Sequence, residues 1–152
     1  MTSTKPLEML VSLVVPDNVA LTAKHTLLKM GFKLADLKRA DYYSFEVEQK
    51  DKENNQEILS KVDILANANK HKVNFKLERT GTNILVRETD DDGKSLLFTL
   101  TNRLGLTQIS SVSKGILWTF IGCTEEDAVK MTKELLINEH YQEFKVLQYV
   151  HS

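Results

Sequence analysis

The chain has 152 residues, 41% of them hydrophobic and 27% charged, enough apolar material for one ordinary domain or two very small ones. Its formal net charge of −1 offers no field to draw nucleic acid or an anionic membrane surface. The single cysteine, Cys123, excludes an internal disulfide and a cysteine-rich zinc site. No stretch approaches the roughly 18 unbroken apolar residues of a membrane helix. The apolar run at 7–15 is interrupted by Glu8 and Ser12 and lacks the flanks of a signal peptide. A soluble, cytoplasmic protein is expected.

Hydrophobic period then gives the elements in order. Met9, Val11, Leu13 and Val15 alternate as in a half-buried strand, which Pro16 ends. Asp17 or Asn18 is placed to accept from the free amides of a helix start. Val19, Ala23, Leu27 and Met30 follow at helical spacing, and Gly31 supplies a left-handed terminus. Leu34 and Leu37 open a second strand. After Ala40-Asp41, Tyr43, Phe45 and Val47 continue this extended run on alternate positions. A helix with Ile58, Val62, Leu65 and Ala66 on one face comes next, then a strand with Val73, Phe75 and Leu77.

The series then starts again. Ile84 and Val86 mark a strand, and Asp90-Asp91-Asp92-Gly93 a turn in which Asp92 caps a helix. That helix carries Leu96, Leu97, Leu100 and Leu104, and Gly105 ends it. Ile109 and Val112 precede a turn at Gly115, and residues 116–121 form a strand. Thr124-Glu125-Glu126-Asp127 resembles a capping box. It opens a helix with Ala128, Met131, Leu135 and Leu136 inward, before a last strand through Phe144, Val146 and Tyr149.

Registers repeat along with the order. Leu34 and Ile109, Leu37 and Val112, Arg39 and Lys114, and Phe45 and Phe120 each lie 75 apart; Gly31 and Gly105 lie 74 apart. The expected architecture is therefore α+β: two tandem βαββαβ units, residues 1–80 and 81–152. Each is a ferredoxin-like four-stranded antiparallel sheet with two helices on one face, and they pack as a pseudo-dimer. A unit of this size is marginal alone, because it buries only about 60% of its extended surface. Pairing two faces or two edges removes that weakness. The strands around Tyr42 to Phe45 and Trp118 to Phe120 carry large groups on both sides, as a sheet covered on both faces requires.

Chemistry-bearing residues are few. Cys123 precedes a helix cap, where a dipole lowers a thiol pKa, yet no histidine lies near it in sequence, and a packing role is the simpler reading. The acidic turn at 90–93 lacks the ligand spacing of a calcium loop. No glycine-rich phosphate loop and no helix with paired metal histidines is present. No catalytic residue and no cofactor or metal ligand is therefore assigned. The candidates for partner contact are Lys38, Arg39, Tyr42, Lys114, Trp118 and His25: basic and aromatic groups near the strand turns, and a histidine off the apolar helical stripe.

Several segments resemble the PurS family, the small subunit of phosphoribosylformylglycinamidine synthase. They are residues 17–31 with His25, Leu27 and Met30; Val112-Ser113-Lys114-Gly115; Thr124-Glu125-Glu126-Asp127-Ala128; Leu135-Leu136-Ile137-Asn138; and Glu143-Phe144-Lys145-Val146. The resemblance implies a small α+β subunit without an active site of its own, serving a purine-biosynthetic ligase complex by protein–protein interaction. Such a subunit bridges a large synthetase subunit and a glutaminase subunit. ATP, Mg and glutamine are used by the assembled complex and not bound by this chain; neither nucleic acid nor membrane is a partner, and homo-oligomers are compatible with the role. A second reading stays open. The layout also resembles tandem ACT domains, which implies an amino-acid-sensing regulatory module.

Overall fold

The computed structural model describes residues 4–48, 52–77, 80–90 and 93–148. Among these described residues ten elements follow one another: β1 (Thr4–Leu13), α1 (Asn18–Lys29), β2 (Asp36–Glu48), α2 (Lys52–Ser60), β3 (His71–Asn74), β4 (Thr82–Glu88), α3 (Lys94–Phe98), β5 (Ile109–Ile121), α4 (Glu125–Met131) and β6 (Gln142–Leu147). A π-helical turn extends α3 over Thr99–Arg103 and another extends α4 over Thr132–Leu136.

All six strands join one antiparallel sheet in the order β3-β1-β2-β5-β4-β6. The order mirrors itself about the β2/β5 pair, with β1, β2 and β3 answered by β4, β5 and β6. Register carries the same relation. Leu37 lies opposite Phe120 and Phe45 opposite Val112, so each pair becomes the other on exchanging residues 75 apart. Arg39 opposite Trp118 and Tyr43 opposite Lys114 form a second such set, and Asp41 opposite Ile116 is the centre.

The expected pair of four-stranded sheets is not what forms. Each half contributes three strands, because the extended run at 34–47, which the four-strand layout divides at a turn after Lys38-Arg39, falls on one 13-residue strand, β2. Likewise 109–121 is one 13-residue strand, β5. Gly115 makes no turn. It sits inside β5 opposite Tyr42, where an added Cβ would lie 2.7 Å from the Val86 carbonyl oxygen and 2.8 Å from Leu85 Cδ1. Close approach of β4, not a bend, calls for glycine.

Alternation along the strands separates two faces. All four helices cover one, over two clusters. One holds Leu7, Met9, Phe45, Leu59, Leu65, Leu100 and Val112; the other holds Ala20, Leu27, Leu37, Ile84, Trp118, Phe120, Ala128 and Met131. Both mix residues from either side of residue 80: α1 packs beside α4 above Trp118 and Phe120, and Leu100 packs with Met9 and Phe45. On the opposite face Leu10, Tyr42, Leu85 and Leu117 form a third cluster that Leu77 and Leu147 help to cover. Tyr42, Phe45, Trp118, Thr119 and Phe120 are all buried, so the central strands are covered on both sides, as the alternating bulk requires.

The expected helical stripes hold at Ala23, Leu27, Leu65, Ala66, Leu100, Ala128 and Met131, with Leu65 and Ala66 packing from beyond the end of α2 at Ser60, and miss at single positions. In α1 the inward positions are Ala20, Ala23 and Leu27, while Val19 and Met30 are exposed. Leu59 is buried and Ile58 only half-buried, and Leu104 and Leu135 face solvent. Asp17 is the cap of α1, its side chain accepting from the amides of Val19 and Ala20. Thr124 caps α4 by accepting from the Asp127 amide. Asp92 and Tyr149 lie outside the described residues; Gly93, at φ 73°, occupies the position before α3. No helix among the described residues is long and apolar enough to cross a membrane.

Candidate functional site

A notch opens where β1 parts from β2. The two strands pair as far as Val11 opposite Asp41. Beyond that, β1 continues alongside β3 through Leu13 before turning into α1, while β2 runs on along β5 from Asp36. Between these diverging strands lies a cavity of about 500 Å³, within the range of roughly 300–1,000 Å³ typical of small-molecule sites. Its floor includes Leu10, Leu37, Ala40 and Leu117, with Val15 and Leu21 nearer the mouth.

The charged lining is mostly basic. Among the described residues that line the cavity, Lys24, Lys38, Arg39, Lys72 and Lys76 outnumber Asp17 and Asp36. That leaves an excess of three positive charges in a chain whose net charge is −1. Both carboxylates are occupied by the protein itself. Asp17 accepts from Val19 N at 3.0 Å, Ala20 N at 3.2 Å and Arg39 Nε at 2.9 Å. Asp36 accepts from its neighbour Leu37 N at 2.9 Å. Arg39 therefore ties the start of α1 to β2, while the lysines set the field of the opening.

The expected contact residues divide between this place and the interior. Lys38 and Arg39 lie on the notch. Tyr42 is buried on the face without helices, where its hydroxyl donates to Glu8 Oε2 at 2.6 Å. Burial first, and then the Glu8 carboxylate, push its phenol well above the usual tyrosine range. Trp118 is 6% exposed and packs under α1 and α4, so its ring serves the core. Lys114 is exposed opposite Tyr43, two positions past the centre of the ladder, and His25 is exposed on α1. The residues do not converge on one place.

Lys24, Lys72 and Lys76 were not legible as site residues. Lys72 and Asn74 share the outward face of β3, with Lys76 two residues beyond its end, but only the parting of β1 from β2 brings them to one cavity with Lys38. Cys123 is half-buried, and burial, followed by the nearby Asp127 carboxylate, raises its thiol pKa. That is the reverse of the activation expected from a helix start. No group of three or more metal-binding side chains occurs among the described residues. No family model and no curated protein matches the chain.

Proposed function

We propose that this protein is a non-catalytic bridging subunit, a tandem pair of PurS-like units (1–80 and 81–152) joined covalently as a pseudo-dimer. It would hold the synthetase and glutaminase subunits of a phosphoribosylformylglycinamidine synthase together. The observation that carries this is the mirrored sheet. Strand order and the 75-residue register both exchange the two halves about Asp41 and Ile116, which is what fusion of a two-fold dimer through its edge strands would leave behind. The enzyme to which it belongs rests on the sequence resemblance alone.

Covalent linkage has a physical advantage for a bridge. The second contact becomes intramolecular, at effective concentrations that reach the millimolar range for short linkers. Exposed apolar groups on α1, namely Val19, Leu21, Leu28 and Met30, give a subunit something to dock on. The test is co-purification of this chain with the two catalytic subunits in the presence of glutamine and ADP. Formation of a ternary complex with restored glutamine-dependent activity is expected. Full activity without the chain, together with no complex on mixing, would rule the bridging role out.

A further inference from the structure

We infer that the notch between β1/β3 and β2 binds a small phosphate-bearing molecule with an apolar or ring-shaped body, of the kind a nucleoside diphosphate represents. Four features lead there. The cavity is concave and of ligand size. Its rim carries a positive excess that the chain as a whole does not have. Its two carboxylates are engaged by backbone amides and Arg39, and they are outnumbered by the basic groups around them. Its floor is aliphatic, formed by Leu10, Ala40 and Leu117.

The fold does not require these lysines. Val11 faces Val73 on β3, and Val86 faces Phe144 on β6. By that register Lys72 corresponds to Glu143 on the opposite edge, and Lys38 corresponds to Ser113 in β5. The same sheet position thus accepts a carboxylate in one half and an ammonium in the other. Lysines on an edge strand also discourage edge-to-edge pairing, but that role does not account for Lys24 on α1 or Lys38 on β2. Their common property is the space they surround.

Phosphate suits the donors better than a lone carboxylate. A carboxylate is best met by the planar fork of an arginine, and the Nε edge of Arg39 is already given to Asp17. Lysines act as mobile point charges, which match charge spread over several phosphoryl oxygens. A duplex or extended strand would need a basic track beyond the notch, which the net charge of −1 does not supply.

Isothermal titration of the full chain with UDP and with pyrophosphate tests this. UDP should bind saturably at one site, more tightly than pyrophosphate. Lys72→Glu/Lys76→Glu should weaken both by about tenfold or more, and added salt should weaken them further. Lys145→Glu, on the opposite edge, should leave both unchanged. Lys72→Gln/Lys76→Gln, which adds no repulsion, should give a smaller loss in the same direction. All three variants alter exposed side chains, and circular dichroism confirms their folding. Absence of binding by both probes at about 1 mM, or binding indifferent to the lysine pair, would overturn the assignment. Equal affinity for UDP and pyrophosphate would refute the role of the apolar floor, and binding of poly-glutamate alone would reassign the notch to an acidic protein segment. The titration uses no partner subunit, so its failure is separable from failure of the bridging role.

Discussion

Arg39 lies opposite Trp118 across the central ladder, and its Nε lies 2.9 Å from Asp17 Oδ2 at the start of α1. One carboxylate therefore caps a helix and anchors it to β2. Asp17→Ala is expected to cost about 1–2 kcal/mol, the combined loss of a cap and a charged hydrogen bond. Asp17→Asn keeps the capping oxygen and should cost no more than about 1 kcal/mol. Urea midpoints measure both, and equal losses would show that the cap contributes nothing.

Two glycines should respond very differently to alanine. Gly105 has φ 71° with nothing within 4 Å of the place an alanine methyl would take, so Gly105→Ala should cost about 1–2 kcal/mol of backbone strain alone. At Gly115 the methyl would meet the Val86 carbonyl at 2.7 Å and force β4 from β5, at about 2–3 kcal/mol. Thermal melts that ranked the two in the opposite order would contradict the close packing of these strands.

Tyr42 gives the fold an alkaline limit. Its phenol is held protonated by burial and by Glu8, so the folded pKa exceeds the unfolded value of about 10. The folded state then retains a proton that the unfolded state loses above pH 10, and stability must fall as pH rises beyond that value. Tyr42→Phe should start about 1 kcal/mol less stable at neutral pH but lose less between pH 10 and 11. Parallel pH profiles for wild type and variant would remove Tyr42 as the cause.

Cys123 should behave as a sluggish thiol. Burial and Asp127 both disfavour its thiolate, and the thiolate is the reacting form. Iodoacetamide at pH 8 is expected to label it more slowly than free cysteine, and faster labelling would expose an activating environment.

Separating the halves tests how far the clusters are shared. Leu27 is fully buried among Phe120, Ala128 and Met131, while Leu100 is fully buried among Met9, Phe45 and Leu59. Residues 1–80 alone, and 81–152 alone, should lack cooperative melting at micromolar concentration and regain it on mixing. Independent two-state unfolding of either piece would contradict the interlocked packing.

Much of this was legible in the residues, and the failures have physical causes. The alternation at Met9, Val11, Phe45, Val47, Ile84 and Val86 marked strand faces correctly because those positions all lie buried under the helices. Ala40-Asp41 and Gly115 suggested breaks, since small and polar residues punctuate chains. Here they sit at the centre of a ladder, where Gly115 makes room for β4. The stripes of α1 and α2 failed only at single positions, because Val19, Met30 and Ile58 are apolar without being fully inward. As for the notch, Arg39 and Lys38 were visible as a basic pair. Lys24, Lys72 and Lys76 come to them only through the docking of α1 and the pairing of β3 with β1, which no local spacing encodes.

The unlike residues Lys72 and Glu143 have an evolutionary consequence. In a dimer of identical chains every substitution appears twice, so a charge useful at one edge must also be endured at the other. A single chain carrying both edges is released from that doubling. A lysine on β3 and a glutamate on β6 can then be selected separately, and the two edges can meet different surroundings.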